Sequence, residues 1–148
     1  MGKCSSTRPY LEVTTTIRVR FQEVDSMRIV WHGHYLSYLE EARRAFGRQY
    51  GLDYADIRRH ELHAPLVHVS VDFLTPAFDN DLLEVTARLL KSDTPKLEFQ
   101  YTIVRTADQK LLARGESVQA FTKPDGTLLL HAPALLVKSY RRWEGQWK

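Results

Sequence analysis

The sequence has few of the features that build disulfide-linked, membrane-spanning or exported proteins. Its 148 residues include a single cysteine, Cys4, so no disulfide can form within the chain and a reducing, cytoplasmic location is expected. No apolar run approaches the roughly 20 residues that a transmembrane helix needs. No charged segment followed by an apolar one opens the chain, as a secretory signal would. We therefore expect neither a membrane-bound nor a secreted protein.

Motifs that bind phosphate, nucleic acid or metal are also missing. Neither G-x-G-x-x-G nor the P-loop pattern occurs, and the G-x-S-x-G of many serine hydrolases is absent. The net charge of +3 is spread along the chain, without the basic stripe and interleaved aromatics of a nucleic-acid-binding surface. The pairs His32/His34 and His60/His63 lack Cys or acidic partners at zinc-site spacings, so no metal is expected.

The residues that are present indicate one domain. With 43% hydrophobic residues, the chain can build a sizeable core. We expect residues 1–12 to be a flexible leader and residues 13–148 to form the domain. The segment Val13–Phe21 alternates apolar and polar residues, which predicts a strand with one buried face.

A long helix is predicted after this strand. Its apolar face is formed by residues at three- and four-residue spacing, namely Tyr35, Leu39, Ala42, Phe46 and Tyr50. The opposite face is polar and comprises Ser37, Glu41, Arg44 and Arg48. Gly51 follows the last apolar position, as a helix-ending glycine would.

The second half of the chain has the pattern of strands. The predicted strands are Ala64–Leu74, Leu82–Leu90, Leu97–Arg105 and Lys110–Phe121, with a further extended segment at Thr127–Leu130. A short helical turn is predicted at Tyr54–Arg59, and Pro133–Trp143 fits either a short helix or an extended tail. One long helix followed by four or five meandering strands predicts an α+β fold with a mostly antiparallel sheet.

Asp25, His32 and His34 lie just before the predicted helix. A helix N-terminus offers unpaired N–H groups and a partial positive charge, which suits a developing oxyanion. A carboxylate aimed at the same point can act as a nucleophile or as a general base. Judged by itself, however, an Asp in this position is more often an ordinary turn residue.

The spacing of Phe21, Asp25, Val30, His32 and Tyr35, followed by the helical segment 38–43, is a fairly specific combination. In it the chain resembles hotdog-fold acyl-CoA thioesterases of the 4-hydroxybenzoyl-CoA thioesterase type. A weaker resemblance extends over residues 14–130. The resemblance implies a hotdog fold, in which the sheet wraps around one long central helix. It also implies a homodimer or a homotetramer with active sites between subunits.

The resemblance further implies roles for individual residues. Asp25 would be the acting carboxylate, and the backbone N–H near His32 would be the oxyanion donor, with the His32 side chain positioning the thioester or water. The implied substrate-binding residues are Val30, Trp31, Tyr35, Lys91, Lys96 and Arg114. Each of these residues could instead have a purely structural role. Tyr35 would pack in the core, His32 would cap the helix, and the three cationic side chains would simply be solvated on the surface. Some relatives use a helical Glu instead, but Glu40 is expected to form an ion pair with Arg43 or Arg44.

These features together predict an acyl-CoA thioesterase that hydrolyses an acyl-CoA to a free acid and CoA. It would need no metal or organic cofactor, since CoA is part of the substrate. Two alternatives remain open. An acyl-carrier-protein thioesterase would read a protein surface instead of the nucleotide, and a non-catalytic acyl-CoA-binding hotdog module would keep the pocket without turnover.

Overall fold

The computed structural model describes residues 7–148. The strands are β1 (Tyr10–Arg18), β2 (Leu66–Phe73), β3 (Leu82–Leu90), β4 (Lys96–Arg105) and β5 (Leu111–Ala120). They form one five-stranded sheet in the order β1-β3-β4-β5-β2, and every neighbouring pair is antiparallel. The helices are α1 (His34–Tyr50), α2 (Tyr54–Arg59) and α3 (Ala134–Arg142). The predicted α+β fold with an antiparallel sheet and one long helix is confirmed.

Helix α1 packs on the sheet through the apolar face that its sequence predicts. Tyr35, Leu39, Ala42 and Phe46 are buried, whereas the four polar residues of the opposite face are exposed. The helix ends where Gly51 adopts the left-handed conformation, with a φ of 72°, which glycine tolerates without steric cost. Burial of this face is the main force that holds the helix against the sheet.

A glycine on β5 lets the helix approach the sheet closely. A Cβ atom at Gly115 would lie 3.1 Å from Leu39 Cδ1 and 3.1 Å from the carbonyl oxygen of Ser70. Larger side chains on the neighbouring strand β4, such as Phe99 and Ile103, fill the space on the same face. The missing side chain at Gly115 therefore sets where the first turns of α1 lie.

The first strand and its surroundings differ from the sequence prediction. β1 begins at Tyr10, not at Val13, because Tyr10 exchanges backbone hydrogen bonds with Lys148 and pairs with Leu90. The predicted leader, residues 1–12, overlaps the first three residues of β1, and residues 1–6 lie outside the described range. At the other end, Phe21 leaves the strand in a short 3₁₀ turn, Phe21–Glu23, where its side chain is 78% exposed.

The C-terminal segment is helical, which decides between the two structures predicted for it. Helix α3 returns to the end of α1, where Trp143 lies against Phe46 and Tyr50. The segment Thr127–Leu130 is not a regular strand and contributes only an isolated bridge between Thr122 and Leu128. Within residues 7–148, no helix is long and apolar enough to cross a membrane.

Candidate active site

Asp25 lies in a tight turn that connects the 3₁₀ turn to the start of α1. Val24 and Val30 form an antiparallel bridge across this turn, and the Asp25 N–H donates to the Ile29 carbonyl oxygen at 2.9 Å. The Asp25 carboxylate accepts the Met27 N–H at 2.8 Å through Oδ1. This is an Asx turn, so the structural role expected of an Asp is present here. The second carboxylate oxygen, Oδ2, accepts no hydrogen bond within the described residues.

The turn contains an unusual backbone conformation at Arg28. Its φ is 65°, which places a residue with a Cβ atom in the left-handed region that normally favours glycine. The Arg28 N–H donates to the Asp25 carbonyl oxygen at 2.9 Å. The sharp reversal at Arg28 is what brings Val30 back beside Val24 and directs the chain into the helix.

The start of α1 presents unpaired backbone donors. The His34 N–H donates to the Trp31 carbonyl at 2.9 Å and the Tyr35 N–H to the His32 carbonyl at 3.3 Å. The preceding N–H groups, those of His32 and Gly33, find no acceptor within residues 7–148. Gly33 is the N-cap and has no side chain to satisfy them. These donors and the positive end of the helix dipole favour negative charge at this point.

The Trp31 indole covers the N-cap. A Cβ atom at Gly33 would lie 2.1 Å from Trp31 Cζ3, so the ring occupies the space beside the glycine. The ring also contacts both imidazoles, with centroid distances of 4.9 Å to His32 and 5.5 Å to His34. Trp31 is nevertheless 48% exposed. It therefore forms an accessible apolar wall next to the unpaired N–H groups.

Two of the predicted substrate-binding residues are buried in the core. Val30 is buried and its N–H donates to the Ala77 carbonyl at 2.9 Å. The Tyr35 ring packs edge-on against Phe73 with a centroid distance of 5.0 Å, and its hydroxyl accepts the Ala77 N–H at 3.4 Å. Burial raises the pKa of Tyr35 above the ordinary tyrosine value, so the hydroxyl stays protonated.

The predicted cations do not gather around Asp25 within one chain. The chain reaches Asp25 from the Arg18 end of β1, which pairs with Leu82, whereas Lys91 follows Leu90 at the opposite end of β3. Eight residue steps along a strand span about 27 Å. Lys96 begins β4 at that same distant end, opposite Ala120.

Arg114 is placed differently from the two lysines. It lies on β5 between Asp72 and Thr102, in register with Thr86 and Thr14 and so midway along the sheet. However, its neighbour Gly115 faces Leu39 of the helix, so the alternation of side chains along a strand turns Arg114 to the opposite face. Asp25, Trp31 and His32 therefore lie on one short segment, next to the buried Val30 and Tyr35, and none of the three cations lies on it.

The helical carboxylate Glu40 is engaged in a polar cluster between α1, α2 and the sheet. Glu40 forms an ion pair with Arg43 and accepts the Tyr54 hydroxyl at 2.9 Å. Arg43 also donates to the Tyr101 hydroxyl at 3.3 Å, which lies 2.7 Å from Ser117 Oγ. The predicted pairing of Glu40 with Arg43 is confirmed. Arg43 itself is largely buried, unlike an ordinary surface partner.

Sequence reasoning missed the most buried carboxylate of this region, Glu23. It lies two residues before Asp25, is 6% exposed and accepts the hydroxyl of buried Tyr38 at 3.0 Å. Burial first, and then the Glu23 charge, raise the pKa of Tyr38. The helical spacing of Tyr38 to Tyr35 and Ala42 could have placed it on the buried face. No pattern in the sequence indicates that Glu23 is buried.

No metal site is apparent in the region. Within residues 7–148, no three His, Cys, Asp or Glu side chains lie close enough together to hold a metal ion. The His60 ring instead bonds the Asp56 carbonyl oxygen at 2.9 Å.

Comparison with known proteins gives consistent matches. A model of the thioesterase-like superfamily matches residues 19–136. A 1,4-dihydroxy-2-naphthoyl-CoA hydrolase from Rippkaea orientalis is 26% identical over 111 residues, which cover 74% of this chain and 80% of the relative.

Solved structures show the same architecture. A 1,4-dihydroxy-2-naphthoyl-CoA thioesterase from Synechocystis superposes with a TM-score of 0.79 at 21% identity, over 90% of this chain and 98% of the other. A 4-hydroxybenzoyl-CoA thioesterase variant solved with 4-hydroxybenzoyl-CoA gives a TM-score of 0.75 at 20% identity, over 86% and 97%. At these identities the likeness shows the fold, and the hotdog fold expected from the sequence is confirmed.

Proposed function

Because the chain belongs to the thioesterase-like superfamily, we propose that it is an acyl-CoA thioesterase with Asp25 as the acting carboxylate. One observation supports placing the active site at the start of α1. The same short segment at the N-terminus of α1 carries a carboxylate oxygen and two backbone N–H groups that have no hydrogen-bond partner within residues 7–148. This segment supplies a group that can attack or deprotonate and a group that can stabilise an oxyanion.

The thioester carbonyl would lie with its oxygen toward the His32 and Gly33 N–H groups. As negative charge develops on that oxygen, fixed N–H donors stabilise the transition state more than the ground state. Removing one such donor typically costs about 2.7–4 kcal/mol of barrier. The helix dipole acts in the same direction, so no cationic side chain is needed at the reacting carbon.

Asp25 has two possible routes to the products. As a general base it would take a proton from water, which attacks the carbonyl carbon and expels the CoA thiolate. As a nucleophile it would expel the thiolate and form an anhydride, which water then cleaves. Both routes yield the free acid and CoA and need neither a metal nor an organic cofactor.

The acyl group would lie against the apolar wall of the site. Trp31 stands beside the N-cap and shields it from water, and a drier site strengthens the N–H contacts with the oxyanion. Phe21 and Met27 are more than two-thirds exposed on the same turn region. We propose that the His32 imidazole positions the thioester or the attacking water, since the residue is exposed and its ring lies beside the Trp31 ring.

The remote cations suggest that the working enzyme is an oligomer. Strand β2 forms one edge of the sheet and exposes Leu66, Val67 and Phe73, a surface that isolated proteins normally protect. We propose that a second copy covers it, in a homodimer or a homotetramer. Lys91, Lys96 and Arg114 would then hold CoA phosphates at the site of another subunit.

The relatives' names support CoA as the thiol carrier, since they describe enzymes of CoA thioesters. We propose a cytoplasmic enzyme, in keeping with the single cysteine. An acyl-carrier-protein substrate and a non-catalytic acyl-CoA-binding role are the alternatives, and neither is favoured by a specific contact in the structure.

Release of free thiol from a panel of thioesters tests the proposal. The panel contains short, medium, long, aromatic and hydroxylated acyl-CoAs, with matching acyl-carrier-protein and pantetheine esters. We expect turnover of at least one acyl-CoA class, and faster turnover than of the same acyl group on the carrier protein. Turnover of carrier-protein esters alone would transfer the assignment to that substrate. Tight acyl-CoA binding without any thiol release would support the binding module.

A further inference from the structure

Glu23 is a buried carboxylate whose ion pair is long and solvent-exposed on the cationic side. The Arg20 Nε atom lies 3.9 Å from the Glu23 carboxylate, and the Arg20 side chain is 70% exposed. Burying a charged group is costly unless its oxygens accept several hydrogen bonds. A buried carboxylate two residues from Asp25 therefore requires an explanation in terms of the contacts it makes.

Glu23 connects three parts of the chain that meet at the site. Its Oε1 atom accepts the Arg20 N–H at 2.8 Å, just after the first strand, and the Tyr38 hydroxyl at 3.0 Å, on the second turn of α1. Its carbonyl oxygen accepts the Trp31 N–H at 2.9 Å. Trp31 directly precedes His32, whose N–H is one of the two unpaired donors.

We propose that Glu23 and Tyr38 are positioning residues that fix the Asp25 carboxylate relative to the His32 and Gly33 N–H groups. The inference rests on the proposed function, because it concerns the same site. Asp25 is separated from Glu23 only by Val24, so the position of Glu23 sets that of the carboxylate. Tyr38 belongs to α1, the helix whose N-terminus presents the N–H groups. Its hydrogen bond to Glu23 therefore fixes the position of Glu23 relative to that helix.

The connection matters because the turn has few other attachments to the helix. Among the described residues, the side-chain hydrogen bond from α1 to the 20–25 segment is the one between Tyr38 and Glu23. A displacement of about 1 Å between reacting groups can lower a rate by about a hundredfold. Loss of the Tyr38 hydroxyl should therefore reduce the chemical step more than it reduces substrate binding.

Substitutions at Glu23 can distinguish the effect of its hydrogen bonds from the effect of its charge. Because both side-chain bonds of Glu23 use the same oxygen, Glu23→Gln can retain them through its single carbonyl oxygen while removing the charge. Glu23→Ala removes both bonds, and Tyr38→Phe removes only the bond to the helix. Tyr101→Phe is the control, since it deletes another buried tyrosine hydroxyl, the one bonded to Ser117 and Arg43, away from the turn.

The test is to measure kcat, KM and the melting temperature for the wild type and these four variants, on an acyl-CoA that the wild type hydrolyses. We expect Tyr38→Phe to lower kcat about tenfold with KM changed less than about twofold. Glu23→Gln should keep kcat within about threefold of the wild type, and Glu23→Ala should lose at least as much as Tyr38→Phe. Tyr101→Phe should lower the melting temperature without lowering kcat.

Different outcomes overturn different parts of the account. If Tyr38→Phe has the kcat of Tyr101→Phe, the hydroxyl has only a structural role and the inference is wrong. If Glu23→Gln is as slow as Glu23→Ala, charge and not position is what Glu23 supplies, and the inference is again wrong. A folded wild type that hydrolyses no thioester would overturn the proposed function itself, and this inference with it. Tyr38→Phe keeps the shape of the side chain, so the test does not depend on whether Glu23→Ala folds.

Discussion

The two ends of α1 are built in opposite ways. At the C-terminal end, the Tyr50 carbonyl accepts hydrogen bonds from the Arg142 side chain at 3.0 Å and from the Trp143 indole at 3.2 Å. At the N-terminal end, the His32 and Gly33 N–H groups have no acceptor among the described residues, and Phe21 on the adjoining turn is exposed. At the C-terminal end, the protein itself supplies donors to the Tyr50 carbonyl, whereas the N–H groups at the N-terminal end are left for a ligand.

The difference shows where the fold is stabilised and where chemistry can occur. Around the C-terminal end, Phe46, Tyr50 and Trp143 pack with centroid distances of 4.7–6.2 Å, and such aromatic contacts add to the burial of their large surfaces. Around the N-terminal end, Arg28 adopts a left-handed φ of 65°. Strained backbone and unpaired donors lower stability, and they persist in places where function uses them.

The largest effect on stability is expected at the closed end. Trp143 is 1% exposed and contacts α1 with both its ring and its indole N–H. Trp143→Ala should lower the free energy of unfolding by about 3–5 kcal/mol, the usual range for removing a buried aromatic ring. Urea unfolding measures this loss. The folded fraction should keep the kcat of the wild type. A loss of unfolding free energy below about 1 kcal/mol would show that Trp143 does not stabilise this end of α1 as its burial indicates.

At the open end, Gly33→Ala should affect turnover more than stability. The backbone there, with φ −65° and ψ −26°, accepts alanine, but the new Cβ would collide with the Trp31 ring. We expect displacement of that ring and a fall in kcat/KM of about tenfold, or about 1.4 kcal/mol.

A double-mutant cycle identifies the cause of the Gly33→Ala effect. In a Trp31→Ala background the collision no longer exists, so adding Gly33→Ala should change kcat/KM by less than about twofold. An undiminished tenfold loss in that background would show that the alanine acts on the N–H groups themselves and not through the ring.

A smaller stability effect is expected at Gly51. Alanine at a φ of 72° should cost about 1–2 kcal/mol of folding free energy, and its Cβ would also lie 3.0 Å from the Arg142 Nη2 atom that donates to the Tyr50 carbonyl. Gly51→Asn should lose less, because asparagine tolerates this conformation better. Thermal unfolding of the two variants checks the order, and equal losses would show that the conformation is not the cause.

The smallest expected effect on stability is a gain rather than a loss. Arg28→Gly should stabilise the protein by up to about 1 kcal/mol, since it relieves the left-handed conformation but gives the unfolded chain more freedom. Arg28→Ala keeps a Cβ atom and should give no such gain. Comparison of their denaturation midpoints distinguishes them, and destabilisation by glycine would indicate that the arginine side chain makes a stabilising contact.

Periodic features of the fold could be predicted from the sequence because burial imposes them. The apolar face of α1, its end at Gly51 and the strand Leu82–Leu90 were predicted with their observed bounds or close to them. The family resemblance, carried by Asp25 and the residues up to Arg43, is confirmed by the superfamily match, and with it the prediction of a thioester hydrolase. Phe21 was misplaced because the alternation continues past the point where pairing with β3 stops at Arg18.

The remaining features depend on contacts between distant segments. The burial of Glu23 results from the approach of Tyr38, which no local pattern encodes. The separation of Lys91 and Lys96 from Asp25 follows from the strand register, which the sequence does not specify at the level of single residues. The roles of Asp25, His32 and the predicted substrate-binding residues stay predictions. The homodimer or homotetramer and the lack of a required cofactor also stay predictions.

Thiol release by Asp25→Asn tests the central claim most directly, with Asp125→Asn as the control. Each aspartate accepts the N–H of the residue two positions ahead, Met27 at 2.8 Å and Thr127 at 2.9 Å, so the same substitution is made in the same local geometry. We predict that Asp25→Asn lowers kcat at least about a hundredfold, roughly 2.7 kcal/mol of barrier, with acyl-CoA affinity nearly unchanged and Asp125→Asn fully active. Turnover by Asp25→Asn equal to that of Asp125→Asn would show that Asp25 is only a turn residue.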